Sequence, residues 1–122
     1  MKFLLLGYTP AEAWDGATAD VPSEDALAAF AEYQKFEAEL RATGEFVSAE
    51  GLGHPVMSTT VQKQDGAVVI TDGPYAELKE VLASFAIIDV SSLDRAKDIV
   101  ARMVAVLGEP MEIRPIMGDD FA

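Results

Sequence analysis

Two amphipathic segments, each lying between apolar runs, constrain the fold of this chain more than any other sequence feature. In residues 26–40, apolar side chains recur at three- and four-residue spacing, and Ser23 before them and Gly44 after them are typical helix caps. A second segment with this spacing spans residues 93–107 and ends at Gly108. The pattern predicts two helices, each preceded and followed by a strand.

The start of the second helix and the strands follow from shorter patterns. Ser91 and Asp94 have the spacing of a capping box, so the second helix is expected to begin at Ser91. Apolar or alternating runs predict four strands, over residues 2–8, 45–50, 81–90 and 111–117. Pro115 has no amide hydrogen to donate, which places the last strand at an edge of the sheet or bends it there.

A hairpin is predicted between the second and third of these strands. Residues 56–63 and 67–71 are rich in strand-forming side chains, and the Asp65-Gly66 pair between them is typical of tight hairpin turns. Ala76 to Glu80 are expected to form a single helical turn. The order of elements predicts an α+β fold, a ferredoxin-like split βαβ with an inserted β-hairpin, in which an antiparallel sheet carries two helices on one face.

The second face of the sheet is expected to be apolar too. Four apolar residues of the predicted strands are too many to face a single helix layer: Phe3, Leu5, Val69 and Ile87. An apolar sheet face needs a cover, and the simplest cover is the same face of a second copy. The sequence therefore predicts a homodimer.

Composition excludes several classes of function. The chain has 122 residues, which fits one domain over residues 1–117 with a tail at 118–122. It has no cysteine and one histidine, which excludes disulfides, thiolate nucleophiles and sites built from two histidines of one chain. Nine basic residues against 21 acidic ones disfavour binding to nucleic acid.

The sequence also lacks the patterns of common cofactor and membrane sites. The Gly-x-Gly at residues 51–53 leads into no predicted helix, and no histidine is spaced with two carboxylates, so we expect neither a cofactor nor a metal. The apolar run at residues 3–6 is too short for a signal peptide or a membrane span. A cytoplasmic protein without membrane contact is expected.

Residues 71–80 carry a resemblance to a known family. They read TDGPYAELKE and resemble the segment, close to TDGPFAETKE, that names the DGPF-domain proteins, a branch of the YCII-related family. Similar segments occur along the chain, namely the opening MKFLLLGY, Trp14, Glu50-Gly51-Leu52, Thr59-Thr60-Val61, Phe85, Ile88-Asp89-Val90 and Ile113-Arg114-Pro115-Ile116. The sequence departs from the family pattern at Tyr75, Leu78 and Ala83-Ser84. The resemblance implies a dimeric α+β barrel with a small-molecule cleft between helices and sheet.

The resemblance also implies catalytic candidates. A His–Asp pair has been proposed to be catalytic in more distant YCII-like proteins, and Asp72 lies in the matching motif here. His54 is the candidate partner, because imidazole is the side chain that most readily exchanges a proton near neutral pH. The alternatives are an Asx turn at Asp72 and a merely exposed loop histidine. Gly73 and Pro74 complete the motif, and we expect them to shape the backbone.

Five residues are candidates for contact with a substrate. Glu37 falls inside the apolar stripe of the first helix, so its carboxylate either reaches out to water or points into a pocket, where burial raises a carboxyl pKa. Tyr8, Trp14 and Tyr33 are expected to line the same pocket or to pack in the core. Tyr75 is expected to bind a ligand through its hydroxyl or to be an interface or core aromatic.

Three functions stay open at this point. The first is a small-molecule-binding protein or cofactor-free enzyme, with Asp72 as acid or base and His54 or Glu37 as its partner in proton transfer or hydrolysis. The second is a non-catalytic accessory module, linked to a sigma-factor pathway because the family's genes often lie beside those of alternative sigma factors. The third is a cofactor-independent monooxygenase, which rests on fold analogy alone.

Overall fold

The computed structural model describes residues 1–12 and 23–118. Within them lie a two-layer α+β domain and a separate hairpin. The elements, in chain order, are strand β1 (Lys2–Pro10), helix α1 (Glu24–Thr43), strand β2 (Phe46–Gly51), a 3-10 turn (Pro55–Met57), strands β3 (Thr59–Gln64), β4 (Ala67–Asp72) and β5 (Glu80–Asp89), helix α2 (Leu93–Leu107) and strand β6 (Met111–Pro115).

The main sheet has the strand order β2-β5-β1-β6, and all of its neighbouring strands are antiparallel. Both helices pack on one face of this sheet. This confirms the predicted ferredoxin-like α+β fold. Strand β6, which contains Pro115, lies at an edge of the sheet as predicted. An edge strand has a neighbour on one side, so a residue without an amide hydrogen is tolerated there.

The predicted boundaries of α1 are confirmed by its caps. Ser23 Oγ accepts a hydrogen bond from the amide of Ala26 at 3.1 Å, and Gly44 ends the helix in the left-handed region with φ 82°. The acidic Glu24 and Asp25 lie in the first turn, where the helix dipole favours negative charge. These signals are local, which is why the sequence alone locates this helix.

The predicted start of α2 at Ser91 is wrong by one residue. Ser92 is the N-cap, and its Oγ accepts from the amide of Arg95 at 3.1 Å. With this start, Arg95 takes the third helical position, where a capping box has an acidic residue. The Arg95 side chain instead donates two hydrogen bonds to Glu45, at 2.7 and 2.9 Å, and so fastens α2 to the segment before β2.

Side chains on the helix-facing side of the sheet become smaller from one end to the other. Strand register places three rows of residues across this face: Phe46–Ile88–Phe3, then Ala49–Ala86–Leu5, then Gly51–Ser84–Gly7. The first row is fully buried under both helices, together with Phe36, Leu40, Ile99 and Met103. The third row has no side chain larger than serine on three adjacent strands.

The second face of the main sheet is apolar in its centre, as predicted. Strand alternation places Leu4 and Leu6 of β1 opposite Ile87 and Phe85 of β5 on this side. Leu6 is buried, and the other three are half-buried. Phe3 and Leu5, in contrast, face the helices.

The hairpin of β3 and β4 forms a separate two-stranded sheet. Its turn is the predicted Asp65-Gly66 pair, with φ 51° and 83°. Val69 therefore lies in the hairpin and not on the second face of the main sheet. The helical turn expected at Ala76 to Glu80 does not form, and the Lys79 carbonyl accepts from the amide of Ala11 at 2.7 Å instead.

Candidate functional site

A cleft of about 400 Å³ lies between α1 and the small-residue end of the main sheet. Its floor is formed by Ala49, Ala86, Gly51, Ser84 and Gly7. Because these residues have short side chains or none, the first half of α1 spans empty space and not core. The volume falls in the range of about 300–1,000 Å³ that small-molecule sites occupy.

The walls of the cleft are mostly apolar and aromatic. Helix α1 contributes Phe30 and Tyr33, which lie within the recurring pattern of residues 26–40. The opposite wall is the end of α2 and the start of β6, with Leu107, Pro110 and Met111. Phe30 remains 55% exposed because it covers the cleft and contacts little beneath it.

Tyr33 and Glu37 form the main polar group of the cleft wall. They lie four residues apart on one face of α1, and both line the cleft. Burial, and then the charge of Glu37, raise the pKa of the Tyr33 phenol, while Arg41 opposes this in part. The Tyr33 hydroxyl, which is protonated at neutral pH as tyrosines ordinarily are, is available as a hydrogen-bond donor.

Arg41 holds the Glu37 carboxylate from the side. Its Nε and Nη2 donate to the same oxygen, Glu37 Oε1, at 3.2 and 2.8 Å. The guanidinium also lies over the Phe46 ring, 4.5 Å from its centroid. Within the described chain, Glu37 Oε2 has no hydrogen bond. Glu37 therefore lines the cleft, and its carboxylate is paired with Arg41 at the cleft wall.

The mouth of the cleft is closed on one side by contacts between β1 and the segment before β6. The amide of Tyr8 donates to the Pro110 carbonyl at 3.1 Å, and Thr9 Oγ1 donates to Glu109 Oε2 at 2.8 Å. Tyr8 follows an irregularity in the pairing of β1 with β5, which re-aims the strand at this point. Tyr8 and Glu109 both line the cleft.

Asp72, Gly73, Pro74 and Tyr75 lie elsewhere, at the base of the hairpin. Gly73 adopts φ 104°, and its amide donates to the Ser58 carbonyl at 2.7 Å. Asp72 is exposed, and Tyr75 is 80% exposed. None of the four is among the residues that line the cleft.

His54 is also at the base of the hairpin, before the 3-10 turn that leads into β3. Its Nδ1 accepts from the amide of Val56 at 3.0 Å and so caps that turn.

The structure thus brings together three of the predicted substrate-binding residues: Tyr8, Tyr33 and Glu37. Trp14 lies outside the described residues. Sequence reasoning missed the floor, and above all Gly7 and Ser84, which pair across β1 and β5. The available signal was the small residues Gly7, Gly51 and Ser84 in otherwise apolar or alternating strands, where a short side chain marks a close approach or a space.

Ionisable groups of the described residues do not assemble into a metal site. Among residues 1–12 and 23–118, no three histidine, aspartate or glutamate side chains are grouped as metal ligands are. The cleft carboxylates of Glu37 and Glu109 are instead engaged by Arg41 and Thr9. Over the same residues, neither helix has both the length and the apolar composition of a membrane span.

The fold and the cleft together define a ferredoxin-like α+β domain with a ligand-sized space between helix and sheet. The chain belongs to the YCII-related family, since the sequence model of the YCII-related domain matches residues 1–118. It is also similar to an uncharacterized protein of Rhizobium meliloti (strain 1021), with 44% identity over 41 residues. That match spans about a third of each protein, 34% of this chain and 33% of the relative.

Proposed function

We propose that this protein binds a small molecule in the cleft between α1 and the main sheet. The observation that carries the proposal is the floor of short side chains under an aromatic wall, since a space of about 400 Å³ is retained where the rest of the sheet face is tightly packed. Protein interiors contain few unfilled spaces of this size, because each packing contact that is lost costs stability.

A fragment screen read by amide chemical shifts tests this proposal. Fragments that bind are expected to shift the amides of Ala49 and Ser84. The Ala49→Leu substitution fills the cleft and is expected to abolish these shifts, while Ala101→Leu, at an exposed position of α2, leaves them unchanged. A chemically diverse library that shifts no cleft amide rejects the proposal.

We favour binding over acid–base catalysis. Asp72 and His54, the candidate acid–base residues, lie at the hairpin base and not in the cleft. The proton-transfer role that the family resemblance implies for them requires a second surface to enclose Asp72. We keep that role as a prediction that depends on the homodimer. The accessory-module and monooxygenase alternatives, the DGPF branch, the absence of nucleic-acid binding and the cytoplasmic location likewise stay predictions.

We further propose a homodimer that covers the second face of the main sheet and one face of the hairpin. Val61, Val68 and Ile70 share a side of the hairpin with Asp72, and the three apolar residues are 60–70% exposed. An isolated two-stranded hairpin is marginally stable in water, so this exposed apolar face needs a partner surface. The same chain offers one in its second sheet face, with Leu4, Phe85 and Ile87.

Sedimentation velocity tests the homodimer. We expect twice the monomer mass at micromolar concentration, and we expect Ile70→Lys to give monomers because it places a charge in the proposed interface. Leu27→Lys, at a 53% exposed position of α1, is the matched control and is expected to leave the mass unchanged. A monomeric wild type contradicts the proposal.

A further inference from the structure

We propose that the cleft selects an apolar, ring-containing molecule that carries a hydrogen-bond donor, a hydroxyl or an amino group, and that it rejects carboxylates and phosphates. The inference rests on the proposed binding function and names the ligand class of the same cleft. It follows from the charges, the hydrogen-bonding groups and the apolar walls of the site.

The charged residues that line the cleft are all acidic. They are Glu37, Glu50 and Glu109, and no lysine or arginine of the described chain lines it. Glu50 pairs with Phe85, so its side chain points away from the helices, whereas Glu37 belongs to the cleft wall itself. Arg41 neutralises Glu37 but is already committed to it. An anionic ligand would lose its hydration and gain no counter-charge, and this costs binding energy.

The polar groups of the cleft favour a donor on the ligand. Glu37 Oε2 accepts no hydrogen bond within residues 1–12 and 23–118, and Glu37 lies four residues after Tyr33 on the same helix face. The Tyr33 phenol offers a donor hydrogen in the same wall of the cleft. A ligand hydroxyl or amine satisfies the carboxylate oxygen, and a ligand hydroxyl can also accept from Tyr33 or Ser84.

The walls favour a flat ring system. Phe30, Tyr33, Leu107 and Met111 present rings and flexible apolar chains to the space. Aromatic faces stack on ligand rings, and the methionine thioether adapts to their edges. The short floor residues leave depth for a ring to enter between helix and sheet.

Four naphthalene probes of matched size test the inference: 2-naphthol, 2-naphthylmethylamine, 2-methoxynaphthalene and 2-naphthoate. Affinities are measured from the titration of the Ala49 and Ser84 amide shifts at pH 7. We expect the naphthol or the amine to bind best, the methoxy compound more weakly, and naphthoate at least about tenfold more weakly than the best probe. The comparison of naphthol with the amine shows which donor is preferred.

Two matched substitutions on α1 link the selectivity to the cleft. Glu37→Gln removes the negative charge and leaves Arg41 uncompensated, so the disadvantage of naphthoate is expected to shrink to about threefold or less. Glu39→Gln is the control. Glu39 pairs with Arg102, and the Arg102 guanidinium lies over the Phe36 ring, as Arg41 lies over Phe46. Glu39 does not line the cleft. Its substitution is expected to leave the probe ranking unchanged.

The readout is a ratio of affinities within one variant, so a change in stability does not alter it. Naphthoate binding as tightly as naphthol to the wild type, or a ranking that Glu37→Gln leaves unchanged, overturns the ligand class while small-molecule binding stands. Absence of cleft shifts with all four probes also overturns it. In that case the fragment screen with the chemically diverse library decides whether the cleft binds small molecules at all.

Discussion

Gly7 and Ser84 face each other across β1 and β5, and a Cβ atom on Gly7 would overlap the Ser84 hydroxyl oxygen. The pair belongs to the cleft floor. Glycine at position 7 lets the serine hydroxyl lie against the neighbouring strand, and so the space above the two residues stays open. This close approach joins two residues that are far apart in the sequence.

The first prediction concerns this pair. Gly7→Ala forces the Ser84 side chain into another rotamer, and the added methyl group and displaced hydroxyl narrow the cleft. We expect the affinity for 2-naphthol to fall by about tenfold, which is about 1.4 kcal/mol. Ser84→Ala in the Gly7→Ala background removes the overlapping oxygen and is expected to recover most of the loss. The affinities of the two single variants and the double variant measure this coupling, and additive effects would contradict it.

The second prediction concerns the pH dependence of stability. Hydrogen bonds from Arg95 lower the pKa of Glu45 to about 2 from its ordinary value of 4.5, against a smaller opposing effect of burial. The contact therefore stabilises the fold fully above about pH 4.5, and its contribution is lost as the pH falls towards 2. Because Arg95 is 41% exposed, we expect Glu45→Gln to cost only about 1 kcal/mol at pH 7.

Urea unfolding of wild type and Glu45→Gln at a series of pH values checks this expectation. The difference in unfolding free energy is expected to shrink steadily below about pH 4.5. Glu112→Gln, which removes the exposed pair of Glu112 with Arg114, is the control and is expected to change stability little at any pH. A Glu45→Gln effect that persists at pH 2 would falsify the assignment.

The third prediction concerns the backbone at Gly73. Its φ of 104° is a conformation that residues with a Cβ rarely adopt, although open space surrounds the position. Gly73→Ala is expected to cost about 1–2 kcal/mol through backbone strain alone. Gly51→Ala is the matched control, because Gly51 also has open space but no positive φ. Equal unfolding free energies for the two variants would contradict the strain argument.

The fourth prediction concerns the start of α2. Ser92→Ala removes the acceptor of the Arg95 amide and is expected to cost about 1 kcal/mol. Ser91→Ala changes an exposed residue before the cap and is expected to change stability by less than about 0.5 kcal/mol. Thermal unfolding of the two variants distinguishes the observed cap from the one that the sequence spacing suggested, and a larger loss for Ser91→Ala would favour the earlier start.

Much of the fold could be predicted from residues that act on near neighbours. Ser23 and Gly44 bound α1 through hydrogen bonds within a few residues, and Asp65-Gly66 sets the hairpin turn through its own dihedral angles. The start of α2 could not be predicted as well. Two adjacent serines compete for that cap, and in the structure Arg95 reaches Glu45, which is distant in sequence.

The candidate site also contains residues that were predictable from the sequence and residues that were not. Tyr33 and Glu37 were predictable, because helical spacing alone puts them on one face of α1. The floor was not predictable, because Gly51, Ser84 and Gly7 become neighbours only through the register of β2, β5 and β1. Asp72 shows the converse case, since its motif stands out in the sequence but the hairpin carries it away from the cleft.

The sequence by itself determined the element order, the helix and hairpin signals and the resemblance to the YCII-related family. The helix and hairpin signals depend on hydrogen bonds and dihedral preferences between near neighbours. Tertiary structure alone decided that the cleft exists and which residues form its floor. A row across a sheet is set by pairing between strands far apart along the chain, and a one-residue change of register would turn Ser84 from the cleft to the second sheet face.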